Sequence, residues 1–124
     1  MGATLNIFLA IVLLSVVNGG CGAPCGGVRD ITVNLARTGG VVEGQPEYEV
    51  TVSNNCECAQ SKVFVKCYGL SSVLPVDPQA IKPVDGERCI VGGGRPIAGG
   101  GRIKFKYAWM TPQDFPVVSS QVLC

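Results

Sequence analysis

The sequence predicts an all-β fold: a small, disulfide-stapled antiparallel β-sandwich of about six to seven strands, with at most a short helical turn near residues 77–81. Three observations carry that expectation. Short segments alternate apolar and polar residues with period two, the pattern of strands buried on one face. Gly- and Pro-rich turns separate them, and no long helical period occurs. Seven cysteines in a chain of 124 residues offer cross-links to a domain whose core is modest for its size.

The chain opens on an uncharged apolar run from Ile7 to Val17. As a helix this run would reach about 16 Å, against about 30 Å for the hydrocarbon core of a bilayer. It is too short to span a membrane. Small residues follow at Gly19, Gly20, Gly22 and Ala23, as signal peptidase requires. Residues 1–20 therefore read as a secretory signal peptide with a cleavage window at 20–24, and residues 25–124 as one cysteine-rich β domain. Secretion to the extracellular space agrees with the cysteine content, since cytosolic thiols stay reduced.

In the mature segment, Ile31, Val33 and Leu35 alternate with Thr32 and Asn34. Thr38-Gly39-Gly40 and Glu43-Gly44-Gln45-Pro46 read as turn elements separating this strand from the next, in which Tyr48, Val50 and Val52 alternate with Glu47, Glu49, Thr51 and Ser53. A third strand places Val63, Val65 and Cys67 opposite Lys62 and Lys66, with Phe64 and Tyr68 on the outer side. The prolines between Leu74 and Pro83 exclude a continuous helix, while Asp77-Pro78 suits the cap and first residue of a single turn. A fourth strand sets Ile103, Phe105 and Tyr107 against Arg102, Lys104 and Lys106, and a last one runs from Val117 to Leu123.

The cysteines are Cys21, Cys25, Cys56, Cys58, Cys67, Cys89 and Cys124. Cys21 sits at the cleavage window and is the odd one out. The remaining six form disulfides whose pairing the sequence leaves open. Cys56 and Cys58 have one residue between them, so each must reach a different partner. A metal site on these residues is not expected. Structural zinc favours cysteine pairs two to four residues apart, and the chain contains no histidine.

The missing histidine also removes Ser-His-Asp and Cys-His catalytic sets. Glu47 and Glu49 share a strand face, but a solvated face explains them better than a glycosidase pair. The glycine-rich run from Gly92 to Gly101 lacks the Gly-Lys-Ser/Thr ending of a phosphate loop and reads as a flexible connection. No enzyme activity and no cofactor are expected. A net charge of +1 gives no basis for nucleic-acid binding, and nothing calls for membrane insertion. One local concentration of charge remains: Arg88, Arg95, Arg102, Lys104 and Lys106, with no acid from Arg88 to Met110. Arg95, Arg102, Lys104 and Lys106, with Trp109 as an aromatic anchor, are the candidate partner-binding residues.

With these residues in place, the chain resembles the tapetum determinant family of small secreted plant signalling proteins. The likeness runs from Cys25 to Cys124. It rests on Gly44-Gln45-Pro46-Glu47-Tyr48, Asn54-Asn55-Cys56, Val65-Lys66-Cys67, Val76-Asp77-Pro78 and Cys89-Ile90-Val91. It continues through Gly94-Arg95-Pro96-Ile97, Phe105-Lys106-Tyr107-Ala108, Phe115-Pro116-Val117 and Val122-Leu123-Cys124. Six cysteines of the family pattern fall on Cys25, Cys56, Cys58, Cys67, Cys89 and Cys124. Two departures are visible: no long spacer with a basic processing site precedes the cysteine domain, and Cys56 and Cys58 stand closer together than in the family. The resemblance implies an apoplastic ligand for the ectodomain of a leucine-rich-repeat receptor kinase, specifying the tapetum in the anther and limiting the number of microsporocytes. The rival binding class is an apoplastic β-sandwich that holds an anionic cell-wall polysaccharide such as pectin through Tyr107, Trp109 and the basic strand.

Overall fold

The computed structural model describes residues 25–124, so the signal segment, the cleavage window and Cys21 lie outside the described residues. Seven strands form two antiparallel sheets. We number them β1 (Ile31–Val42), β2 (Gln45–Asn54), β3 (Ala59–Lys66), β4 (Ile81–Pro83), β5 (Arg88–Val91), β6 (Arg102–Ala108) and β7 (Val117–Leu123). The first sheet has the order β1-β2-β6, and the second the order β4-β5-β3-β7. Among the described residues the only helical pieces are single 3-10 turns at Gly27–Asp30 and Gly92–Gly94.

β2 and β3 bury the apolar residues that their alternation singled out, whereas Val33 and Leu35 of β1 and Ile103 of β6 are only half-buried. Val50 and Val52 of β2, Val63 and Val65 of β3, and Phe105 and Tyr107 of β6 are all buried. An aromatic cluster fills one end of the core. Tyr48 stacks on Tyr107 with ring centroids 5.3 Å apart, and Phe115 meets Tyr107 and Phe105 edge-on at 5.6 and 5.5 Å. The Tyr107 hydroxyl accepts the Gln113 N–H at 2.7 Å, and burial raises its pKa above the ordinary 10.0. Tyr107 is fully buried and so unavailable as a carbohydrate platform, which corrects its place in the polysaccharide reading.

The turn chemistry differs from the expectation at one point. Thr38-Gly39-Gly40 does not end the first strand. β1 runs on to Val42, and those residues lie in a register shift between Arg37 and Val41, with Gly39 at a φ of 89°. The hairpin turn is Glu43-Gly44 alone. Both residues have positive φ (49° and 78°), as a two-residue turn between twisted strands demands. Near residue 77 the chain makes one capped turn: the Asp77 carbonyl accepts the N–H groups of Ala80 and Ile81 at 3.1 Å, and Asp77 Oδ1 accepts that of Gln79 at 2.9 Å. That turn delivers Ile81 into β4.

Three disulfides lock this frame. Cys25 pairs with Cys56, Cys58 with Cys124, and Cys67 with Cys89, at Cα separations of 5.3, 5.1 and 5.8 Å. They close loops of 31, 66 and 22 residues. Loop-closure entropy in the unfolded chain makes each worth about 3–4 kcal/mol. Two of the bridges tie the first and last described residues to the short link between β2 and β3. The sulfurs of Cys25, Cys56 and Cys58 consequently lie within 4.8 Å of one another. Gly99 passes over this link so closely that a Cβ there would strike the Glu57 carbonyl.

Asn54 is the polar joint beneath the link, and it is fully buried. Its Nδ2 donates to the carbonyls of Cys58 (2.9 Å), Ile97 (2.9 Å) and Ala98 (3.3 Å). Its Oδ1 accepts the Cys56 N–H and Gln60 Nε2, both at 3.1 Å. One side chain thus fastens β2, the cysteine link and the loop before β6, and among the described residues no buried side-chain polar atom lacks a partner.

Candidate functional site

An open groove of about 460 Å³ is lined by Val33, Leu35, Pro112, Gln113 and Asp114. It presents a single carboxylate and no partner base, so it offers no acid–base pair. Glu47 and Glu49 lie on the flat outer face of β2. Glu47 Oε1 accepts the Thr38 hydroxyl at 2.6 Å, and Glu49 stands opposite Ala36 and Lys106 in the sheet. Neither faces a cleft. Charged residues also gather on the outer faces of both sheets.

Strand β6 carries the first such face. Arg102, Lys104 and Lys106 are exposed, while Phe105, between Lys104 and Lys106, and Tyr107, just past Lys106, are buried. Same-side residues repeat about every 6.7 Å along a strand, so the three cations form a row of about 13 Å. Their neighbours across the sheet are Ser53, Thr51 and Glu49. β6 is an edge strand, and the direction of its backbone groups follows from its two ends. Asn54 N–H donates to the Gly101 carbonyl at 2.9 Å, and Trp109 N–H to that of Pro46 at 3.3 Å, so odd-numbered residues bond β2. Even-numbered ones face away. At Ala108 those outward groups are met by the Ser72 hydroxyl (3.0 Å) and the Val73 N–H (2.9 Å). At Lys104 and Lys106 they point off the edge of the sheet and meet no backbone partner among the described residues. This segment therefore joins a cationic row to an unfilled strand edge.

Trp109, just past β6, is partly buried and packs against the core, with exposed Met110 beside it. Arg95 is exposed but does not join the β6 row. Its Nη2 reaches the Gln79 carbonyl at 3.5 Å, and a Cβ on the adjacent Gly94 would lie 2.9 Å from Ile90 Cδ1. Ile90 belongs to the second sheet, and Gln79 to the turn that leads into its strand β4. The basic stretch read along the sequence is thus two faces in space: Arg102, Lys104 and Lys106 on one sheet, Arg88 and Arg95 with the other.

The second face includes residues that the linear reading had not grouped. Lys82, Ile90 and Phe64 are direct neighbours across β4, β5 and β3, and Lys66 faces Arg88 one row along. Lys62 is exposed at the bulge of β3, with a φ of 51°. The Arg88 guanidinium lies 5.0 Å from the centroid of the Phe64 ring, and its Nε is paired with Asp85 at 2.9 Å. The Asp85 carboxylate also accepts the N–H groups of Arg88 (2.7 Å) and Glu87 (2.8 Å), which lowers its pKa below the ordinary 3.8. The only sequence signal for this face was Lys62 and Lys66 alternating with buried valines. Their partners Lys82 and Arg88 lie on strands too short to show a period.

Comparison with known proteins now has geometry to meet. Residues 27–124 match the family model described as "Tapetum determinant 1, C-terminal". The chain is 32% identical over 101 residues to TPD1 protein homolog 1A of Oryza sativa subsp. japonica, covering 75% of this chain and 45% of that protein. It is 30% identical over 97 residues to TPD1 protein homolog 1 of Arabidopsis thaliana, covering 77% of this chain and 53% of that one. The chain thus spans about half the length of the curated relatives it matches. No solved structure is significantly similar.

Proposed function

The chain belongs to the tapetum determinant family, and on that premise we propose that it is a secreted plant signalling ligand that acts by binding rather than catalysis. The carrying observation is the family match over the whole described domain. The finer reading is an apoplastic protein that engages the ectodomain of a leucine-rich-repeat receptor kinase and directs cell fate in the anther, specifying tapetum and microsporocyte number. Three features support it. Three disulfides suit an oxidising compartment. No helix among the described residues is long and apolar enough to cross a membrane. The β6 row of Arg102, Lys104 and Lys106, with Trp109 at its end, is a recognition surface on a rigid strand; Arg95 is a separate contact on the second sheet.

The test is receptor binding by the full chain expressed in plant cells and recovered from the medium, its N-terminus sequenced. The product should begin between Gly20 and Pro24. Arg102→Glu with Lys104→Glu should keep the fold, since both side chains are exposed, and weaken association with the receptor ectodomain. Reversing rim charges slows the on-rate and flattens its salt dependence more than it speeds dissociation. A folded double variant that binds as the wild type does would remove β6 from the interface.

A further inference from the structure

We propose that the outer face of the second sheet is a binding site for a linear polyuronide, a sugar chain bearing a carboxylate on each residue. The site is distinct from the β6 row and stands whether or not the receptor reading holds.

The four strands of the second sheet carry Lys62, Lys66, Lys82 and Arg88 and no Asp or Glu, whereas the first sheet offsets its cations with Glu47 and Glu49. The one ion pair among the described residues is Arg88 with Asp85, on the turn at the end of this face. Lys62, Lys66 and Lys82 therefore have no carboxylate partner among those residues. Their positions are repeated rather than convergent. Lys66 and Arg88 are cross-strand neighbours, and Lys82 lies diagonally from Arg88, roughly 7–8 Å away. Convergent cations would enclose one anion; cations spread over three strands suit a polymer whose charges repeat.

The face is also partly apolar. Phe64 and Ile90 are half-buried and continue the Lys82 row across the sheet, one row from the Lys66–Arg88 pair. Each uronate residue presents a carboxylate at one edge and a face of C–H bonds, which matches ammonium groups set around an aromatic ring. Arg88 is pre-positioned: its guanidinium rests against Phe64, and Asp85 holds Nε, leaving the Nη pair for bidentate contact with a carboxylate. The sheet supplies this arrangement without reorganisation.

The probe is an oligogalacturonate of about ten residues, titrated by calorimetry against the protein secreted from the full chain, with a neutral galactan and a polyglutamate of similar length beside it. Wild type should bind oligogalacturonate saturably, ignore the galactan, and lose about tenfold or more in affinity between about 50 and 200 mM salt, as counterion release requires. Lys66→Glu with Lys82→Glu should weaken binding by about tenfold, while Lys104→Glu with Lys106→Glu on the other sheet should stay within about twofold of wild type. Circular dichroism confirms that each variant is folded. Absence of saturable binding overturns the proposal. So does equal affinity for polyglutamate, which would make this an acidic-protein face, or an equal loss in the β6 variant, which would put the polysaccharide on the β6 row or make the attraction a property of net charge.

Discussion

Asn54→Asp is a sharp probe of how the cysteine link is held. The change is isosteric, yet it replaces an amide nitrogen that donates to three carbonyls with an oxygen that must face them. The site is fully buried. The aspartate at position 54 would escape the repulsion by taking up a proton. Holding a carboxyl protonated at pH 7, against an unfolded value near 3.9, costs about 4 kcal/mol at about 1.4 kcal/mol per pH unit. The protonated acid restores one donation, so at least one good hydrogen bond is still lost, worth about 1 kcal/mol. The variant should be about 5 kcal/mol less stable than wild type at pH 7. Because the folded-state pKa is raised, this penalty grows as pH rises above the unfolded value and fades below it. At pH 3 the deficit should shrink to about 1–2 kcal/mol. Urea unfolding of the disulfide-intact proteins at pH 3, 5 and 7, followed by circular dichroism, measures both numbers. Asn55→Asp is the control: Asn55 is exposed and bonds only the Thr32 hydroxyl with its side chain, so its effect should stay within about 1 kcal/mol at every pH. A deficit below about 1 kcal/mol that does not vary with pH would refute the buried joint.

Other consequences are as concrete. Replacing Cys58 and Cys124, which lie outside the buried core, together with alanine opens the 66-residue loop and should cost about 4 kcal/mol in urea unfolding; a cost below about 1 kcal/mol would contradict a loop-entropy origin. Phe105→Ala empties a core position against Phe115 and should cost about 3–5 kcal/mol, whereas Arg102→Glu with Lys104→Glu should leave the melting curve within about 1 kcal/mol of wild type. Tyr107→Phe removes the acceptor for Gln113 N–H and should cost about 1 kcal/mol near neutrality. Burial raises the Tyr107 pKa, so the phenol's contribution is present below about pH 10 and lost as pH rises through the folded value. The gap between wild type and Tyr107→Phe should therefore begin to close only as pH rises above about 10 in urea titrations.

How far the sequence revealed this architecture depended on strand length. β1, β2, β3 and β6 are long enough for alternation to show, and the buried apolar members of β2 and β3, with Phe105 and Tyr107 of β6, are among those the pattern named. β4 and β5 have three and four residues, too few for a period, and Pro83 in β4 reads locally as loop. Thr38-Gly39-Gly40 has the composition of a turn but serves as a bulge, because the true turn at Glu43-Gly44 already satisfies the hairpin. Disulfide partners were not legible, since pairing depends on which strand ends the fold brings together. The basic residues from Arg88 to Lys106 looked like one patch because linear proximity says nothing about sheets. β5 and β6 belong to different layers, so the patch divides, and half of it gains Lys62, Lys66 and Lys82 from elsewhere.

The central claim, that this domain is a receptor ligand, is met most directly by surface plasmon resonance of the secreted, disulfide-bonded protein over immobilised ectodomains of plant leucine-rich-repeat receptor kinases. The account predicts saturable binding to one of them, with an on-rate that falls as salt rises and falls again in the Arg102→Glu, Lys104→Glu variant. A protein shown to be folded and fully bridged that binds none of these ectodomains would contradict it.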